Sequence, residues 1–321
     1  MDILLVALGS TTGLRRAEDA LAASLERAGA SVAIARAAPQ PDVRTLAYTD
    51  LRWAIAARRA AKDALRKADP KAVLYYTTTA ALLWPRPGAI RYDSLAADSR
   101  PGHHGVWQRP MERRRLARSE LVVPSSADVR FPTGVVVPPA VDPSGLSLPR
   151  SVAAITYAAN PHKKGLDRVL RAWERARRGG EELVVAGLDG EDRAGVRYAG
   201  ALPRDEYRAL LRRSRVFVCA PRFEDFGIAQ LEALADGCAL VTTYAPGPYV
   251  ALPLARALDP RLVARDESGL PAAVRAALDD PTPAYAERAI SLVAPYSTAA
   301  VDALVADRLL PALLGRSNPS V

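Results

Sequence analysis

The sequence predicts an α/β chain built as two doubly wound, parallel-sheet domains, and three observations carry this expectation. Short apolar runs alternate with helical patterns along nearly the whole chain. Most of those runs are continuous, as expected of strands that helices cover on both faces. The alternation breaks once, at PPAVDPSGLSLPR (138–150), which is rich in Pro, Ser and Gly and has no periodicity, and then restarts. A length of 321 residues also favours two cores over one.

The first block opens with a buried strand, Ile3–Ala7, that runs into Gly9. Leu14, Ala17, Leu21 and Leu25 then share one helical face, and Gly29 stops the helix. Val32–Ala35 is the second strand and Leu51–Arg66 the next helix. Ala72–Tyr76 and Ala89–Tyr92 follow as strands. The irregular segment DSRPGHHGVWQRP leads into a basic helix, MERRRLARSE. Leu121–Pro124 and Val135–Val137 read as the last strands of this half. After the linker, Val152–Tyr157 is a strand. Leu166, Val169, Leu170 and Trp173 mark a helix face at i, i+3, i+4, i+7. Leu183–Ala186, Val196–Tyr198, Val216–Cys219 and Leu240–Thr242 read as further strands. The strand ends of two such domains would face across a cleft that binds a ligand.

The composition narrows the partners. Half the chain is apolar, the net charge is +9 and the pI is about 9.8. Anionic ligands suit that charge, and so does a solvated arginine-rich surface. A nucleic-acid reader is disfavoured, because no reader motif and no aromatic-rich basic strand face is present. Cys219 and Cys238 stand alone without CxxC, which argues against a disulfide scaffold or a structural zinc and fits a reducing cytoplasm. No run approaches the length of a membrane span. The arginines 113–115 leave a peripheral contact with an anionic membrane face open, beside the plainer reading of a solvated helix face.

Four stretches carry chemistry. In RFEDFGIAQLEALADG (222–237), a loop after a strand runs into a helix that starts near Gly227 and ends at Gly237. Its free N–H groups and positive end make an anion site suited to a diphosphate, and Gly227 lets backbone approach closely. Ile228, Leu231 and Ala235 would form the inward face, which Glu232 shares. A carboxylate there needs donors: ribose hydroxyls, or an arginine in an internal salt bridge. In YAANPHKKGLDRVL (157–170), Lys163 and Lys164 sit beside a helix start in a chain where lysine is scarce. They would bind phosphate, or lie solvated. Gly9 and Gly13 flank the first strand-to-helix turn without forming a GxGxxG or P-loop pattern. His103 and His104, with Asp93 and Asp98 nearby in sequence, would do acid–base work or sit exposed in a loop.

The two glutamates Glu224 and Glu232, with seven residues between them, FG among these, and EALADG closing the helix, resemble the donor half of retaining GT-B glycosyltransferases of the family 4 type. The order of KKGLDRVLRAW, VVAGLDG and VRYAGALPRDEYRALLRRSRVFVCAPRFEDFG supports the resemblance over about Val152 to Thr243. The first half matches only in outline. The resemblance implies a GT-B fold of two Rossmann-like domains: an acceptor-side domain over 1–145, a nucleotide-sugar-binding domain over 146–295, and a helix over 296–321 crossing back to the first. It implies a nucleotide-diphospho-sugar donor and a glycan, lipid or small-molecule acceptor, with no metal and no other cofactor. Glu224 would contact the sugar hydroxyls. Phe226, Gly227 and Ile228 would present backbone N–H groups to sugar and diphosphate. Glu232 would hold the ribose, Lys164 would neutralise the diphosphate with Lys163 beside it, and Gly200 and Leu202 would lie near the base. Gly9 and Gly13 match the turn that approaches the transferred sugar, and His103 or His104 would fill the role of the family's first-domain histidine.

One departure stands out. The family's arginine about five residues before the lysine is absent, and Ala158, Ala159 and Asn160 occupy that neighbourhood. Lys163, His162 or Arg15 would have to substitute. That gap motivates the competing reading, a non-catalytic or partner-dependent nucleotide-sugar-binding protein. A GT-B epimerase or phosphorylase-like enzyme is disfavoured by the paired glutamates together with Lys164 and Gly165.

Overall fold

The structure is a computed structural model. It describes residues 1–315 apart from Asp42, Arg44, Pro101 and Ser147. The chain divides into two compact units, residues 1–140 with 298 onward, and Val141–Ser297. Of the C-terminal segment expected over 296–321, residues 316–321 lie outside the described residues.

In the first unit, β1 (Ile3–Ala7), β2 (Val32–Arg36), β3 (Ala72–Tyr75), β4 (Ala89–Tyr92) and β5 (Val122–Pro124) form one parallel sheet in the order β2-β1-β3-β4-β5. The helices are α1 (Thr12–Arg27), α2 (Leu46–Lys67), α3 (Thr78–Ala81), α4 (Ala96–Ser99) and α5 (Gln108–Leu116). All five residues of β1 are buried, which is why its sequence does not alternate. Thr11 caps α1, its hydroxyl accepting the Leu14 N–H at 3.1 Å. One sheet face packs on Trp53 and Trp84. The other packs on Leu21, Leu25 and on Val301, Val305, Leu309 and Leu313 from α13 (Thr298–Leu304), a π-helical turn and α14 (Leu310–Leu314), so the C-terminal helix completes the first unit's core.

In the second unit, β6 (Val152–Tyr157), β7 (Leu183–Ala186), β8 (Val196–Gly200), β9 (Ser214–Val218), β10 (Ala239–Thr243) and β11 (Val263–Ala264) form a parallel sheet in the order β11-β10-β9-β6-β7-β8. Its helices are α6 (Pro161–Lys164), α7 (Leu166–Ala176), α8 (Arg204–Arg213), α9 (Ile228–Ala235), α10 (Ala251–Leu258), α11 (Leu270–Asp279) and α12 (Tyr285–Val293). Trp173 anchors the core, 1% exposed, with its indole N–H donating to the Gly195 carbonyl at 2.7 Å. The chain winds outward from β6 to β8 and then returns to the other side of β6 as β9. Such a reversal leaves a crevice at the carboxyl ends of the two central strands.

Two expectations are corrected. Val135–Val137 is no strand of the sheet. Val135 and Val137 donate to Val122 and Pro124 carbonyls at 3.0 and 2.9 Å, but Pro138 and Pro139 have no N–H to extend the ladder. A membrane-length segment does exist: the helical stretch Tyr285–Leu314 has a window of mean hydropathy 1.5, apolar and long enough to cross a membrane by length and composition. Its buried residues recur mostly every four positions, Tyr285, Ala289 and Val293 against the second core and Val301, Val305, Leu309 and Leu313 against the first.

Candidate functional site

The crevice between β6 and β9 gathers two turns. After β6, Asn160 caps the short helix α6, its Oδ1 accepting the Lys163 N–H at 3.0 Å, with Pro161 at the first helical position. Gly165 then takes a left-handed φ of +66°, and a Cβ on it would lie 1.9 Å from the Ala220 carbonyl oxygen. Only glycine lets this turn press against the loop after β9. The Arg222 N–H donates to the Lys163 carbonyl at 2.9 Å, and its guanidinium holds Asp167 through two bonds of 2.7 and 2.8 Å. That pairing keeps the Asp167 carboxyl well below the usual carboxylate range.

The loop after β9 is pinned from the other side. The Glu224 N–H donates to the Pro246 carbonyl at 3.0 Å, and Gly247, at φ +106°, leaves room for the Glu224 carbonyl, 2.1 Å from where its Cβ would be. Gly227, at φ +90°, starts α9 and packs against the buried Tyr249 ring. The loop thereby buries Glu224, 3% exposed, and aims its Oε2 at two donors: Lys164 Nζ at 2.7 Å and Gln230 Nε2 at 2.8 Å. Two residues sixty positions apart in sequence thus meet at the strand-order reversal. Lys163 pairs with Asp225 and lies over the Phe223 ring, so neither lysine is merely solvated.

Glu232 stands one helical turn along α9. Its side chain is 14% exposed, and its Oε1 lies 3.4 Å from Arg204 Nη2 and 3.5 Å from Arg208 Nη1. Both separations exceed the roughly 2.8 Å of a tight charge-assisted bond. Arg208 is buried and bonds more closely elsewhere, Nε to Asp236 Oδ2 at 2.6 Å and Nη2 to the Asp142 carbonyl at 2.8 Å. The arginine partner weighed for Glu232 in the sequence therefore exists, as a loose one. Ile228 is corrected: it is 37% exposed, and the buried face of α9 is Gln230, Leu231, Ala233, Leu234 and Ala235. The face that Ile228 and Glu232 share is a flank and not the core. Phe226 is buried. Gly200, at φ +65°, accepts the Gly187 N–H at 2.7 Å, and Leu202 is half-buried against the same core. Ala159, where an arginine was expected, is exposed, and its backbone nitrogen would lie 3.1 Å from a Cβ on Gly187.

The first-unit candidates have different surroundings. Gly9 has φ +59°, and its N–H and that of Leu8 donate to the buried carboxylate of Glu18 at 2.8 to 3.1 Å. The amides of that turn are already satisfied from within. Gly13 has open space around it. His103 and His104 lie in a 3-10 turn with ring centroids 4.1 Å apart, His103 exposed. The carboxylates expected to serve them are engaged elsewhere: Asp93 by Arg91 at 2.9 Å and by Ser125, and Asp98 by Arg130 at 2.8 Å. Of the basic helix, Arg113 and Arg114 are exposed while Arg115 donates to the Leu82 carbonyl at 2.8 Å.

Residues that the sequence did not single out are Gln230, Asp225, Arg204 and Arg208. Gln230 had a signal: a polar side chain sharing a helix face with Ala233 and Leu234, which needs a partner.

Residues 151–280 match the family model described as glycosyl transferases group 1. The chain is 34% identical over 137 residues to glycogen synthase of Mycobacterium tuberculosis, covering 38% of this chain and 33% of the relative. It therefore spans about a third of the length of the curated relatives it matches. Among solved structures it resembles WaaG, a glycosyltransferase involved in lipopolysaccharide biosynthesis, with TM-score 0.67, 14% identity and coverage of 98% of this chain and 100% of that one. It also resembles sucrose-phosphate synthase from Thermosynechococcus elongatus, with TM-score 0.71, 14% identity and coverage of 94% and 96%. These likenesses establish the fold, which is GT-B.

Proposed function

We propose that this chain is a retaining, metal-independent glycosyltransferase that moves a sugar from a nucleotide-diphospho-sugar to a hydroxyl of a glycan, lipid or small molecule. The observation that carries the reading is the Lys164–Glu224 pair, 2.7 Å apart at the β6/β9 crevice beside the start of α9. The group 1 domain and the partial glycogen synthase likeness support it.

As the anomeric bond breaks, negative charge grows on the diphosphate and positive charge on the sugar. Lys164 and the unpaired N–H groups at the start of α9 stabilise the diphosphate. Glu224 accepts hydrogen bonds from sugar hydroxyls and so fixes the ring. It is not a covalent nucleophile, in contrast to the flanking carboxylate pair of glycosidases. Glu232 exchanges its loose arginine contacts for two ribose hydroxyls. The acceptor hydroxyl attacks from the face the diphosphate leaves, and a donor phosphate oxygen helps take its proton.

A thermal-shift screen with UDP, GDP, TDP and ADP tests the reading and names the base. One of the four should raise the melting temperature, and Lys164→Ala should remove the shift. No shift with any of them contradicts the reading.

A further inference from the structure

Lys164 has two claimants. In the structure its ammonium lies 2.7 Å from the buried Glu224 carboxylate, and in the proposed reaction it serves the diphosphate. When the diphosphate arrives, Glu224 loses its share of a charge it needs, and a buried carboxylate left without donors is costly. Gln230 answers that problem. It is 1% exposed on a helix face otherwise filled by apolar side chains, and its Nε2 donates to the same Oε2 that Lys164 contacts. Its own Oε1 is buried without a partner among the described residues. Turning the amide over would set its oxygen against the carboxylate, so the observed orientation is the favourable one. A buried amide that leaves one end unsatisfied is worth keeping only for what its other end does.

We propose that Gln230 is a positioning residue that keeps Glu224 in place while Lys164 passes to the diphosphate, and that Glu224 and the diphosphate compete for this one ammonium. The inference rests on the nucleotide-sugar reading of the site. The competition has the consequence that removing the charge of Glu224 tightens the binding of a bare nucleoside diphosphate while lowering turnover. The positioning role has one that a merely structural glutamine would not produce: the effect of removing Gln230 disappears once that charge is gone.

The test is calorimetric titration of UDP, GDP, TDP and ADP into the wild type, Glu224→Gln, Gln230→Met and the double variant, with melting temperatures as folding controls. Glu224→Gln should bind the preferred diphosphate ~5-fold tighter, as coupled neighbours of this kind allow. Gln230→Met should bind it ~5-fold more weakly in the wild-type background and unchanged in the Glu224→Gln background, the non-additivity expected of residues acting through one carboxylate. Equal or weaker binding by Glu224→Gln overturns the competition. An undiminished Gln230→Met effect in the double variant overturns the positioning role. If Gln230→Met fails to fold, Gln230→Ala takes its place in both backgrounds and is read by the same two criteria. Absence of binding by the wild type overturns the nucleotide-sugar reading itself, a failure distinct from the other two.

Discussion

Glu18 is fully buried where β1 turns into α1, and burial pushes its carboxyl above the ordinary glutamate range despite the Leu8 and Gly9 amides and the Arg36 guanidinium 3.7 Å away. The folded state therefore binds this proton more readily than the unfolded chain. The resulting stabilisation is full below the unfolded-state value and is lost as pH rises through the folded one. Glu18→Gln keeps an oxygen for the two amides and removes the charge. Its melting temperature relative to wild type should climb as pH rises from the ordinary glutamate range toward neutrality, measured by scanning calorimetry; a difference flat with pH contradicts the account. Glu232→Ala should leave the fold intact, since Arg208 keeps Asp236. It should weaken nucleotide-sugar binding about tenfold or more, the worth of one or two bonds to a charged acceptor. Unchanged donor affinity on titration would remove Glu232 from the ribose.

At the scale of elements, the Gly165 turn joins fold to site, because its left-handed backbone presses on Ala220 and carries Lys164 to Glu224. Gly165→Ala should destabilise the protein by more than about 1 kcal/mol from the conformation alone, with the clash added, and should weaken diphosphate binding in parallel. A melting temperature within error of wild type contradicts this. The C-terminal helix is equally bound to its unit: Leu309 is fully buried, and Leu309→Ala should cost about 2–5 kcal/mol in chemical denaturation. Much at this scale was legible in the chain. The runs Ile3–Ala7, Ala89–Tyr92, Val152–Tyr157 and Leu183–Ala186 are strands with those bounds. Ile3–Ala7 and Leu183–Ala186 are apolar and buried at every position, because burial on both faces leaves an unbroken apolar signal. Of the candidate site, the residues that a local motif carries, Glu224, Gly227 and Lys164, were legible in the chain, and the structure brings them to one crevice. Ile228 was misread because period 3.6 groups it with Leu231 and Ala235. It occupies the first turn of α9, where the helix begins beside the crevice and the core has ended. The bonds from Lys164 and Gln230 to one oxygen were not legible, since sheet order and not sequence spacing brings β6 beside β9.

At the scale of the molecule, a GT-B fold is reached at 14% identity to its structural neighbours, so the fold alone does not carry the chemistry. The proposed chemistry rests on the second unit, where a lysine, a buried glutamate and a helix start converge without the arginine expected near Ala159. The most direct measurement is release of nucleoside diphosphate from UDP-, GDP-, TDP- and ADP-glucose in the presence of EDTA, with water taking the glucosyl group in place of the acceptor hydroxyl, compared between wild type and Lys164→Ala. The account predicts release from one of these donors by the wild type with the chelator present, and a loss of ~100-fold or more in Lys164→Ala, as for removal of one preorganised donor at a site of developing charge. Release that requires a divalent metal, or that Lys164→Ala leaves unchanged, would contradict it.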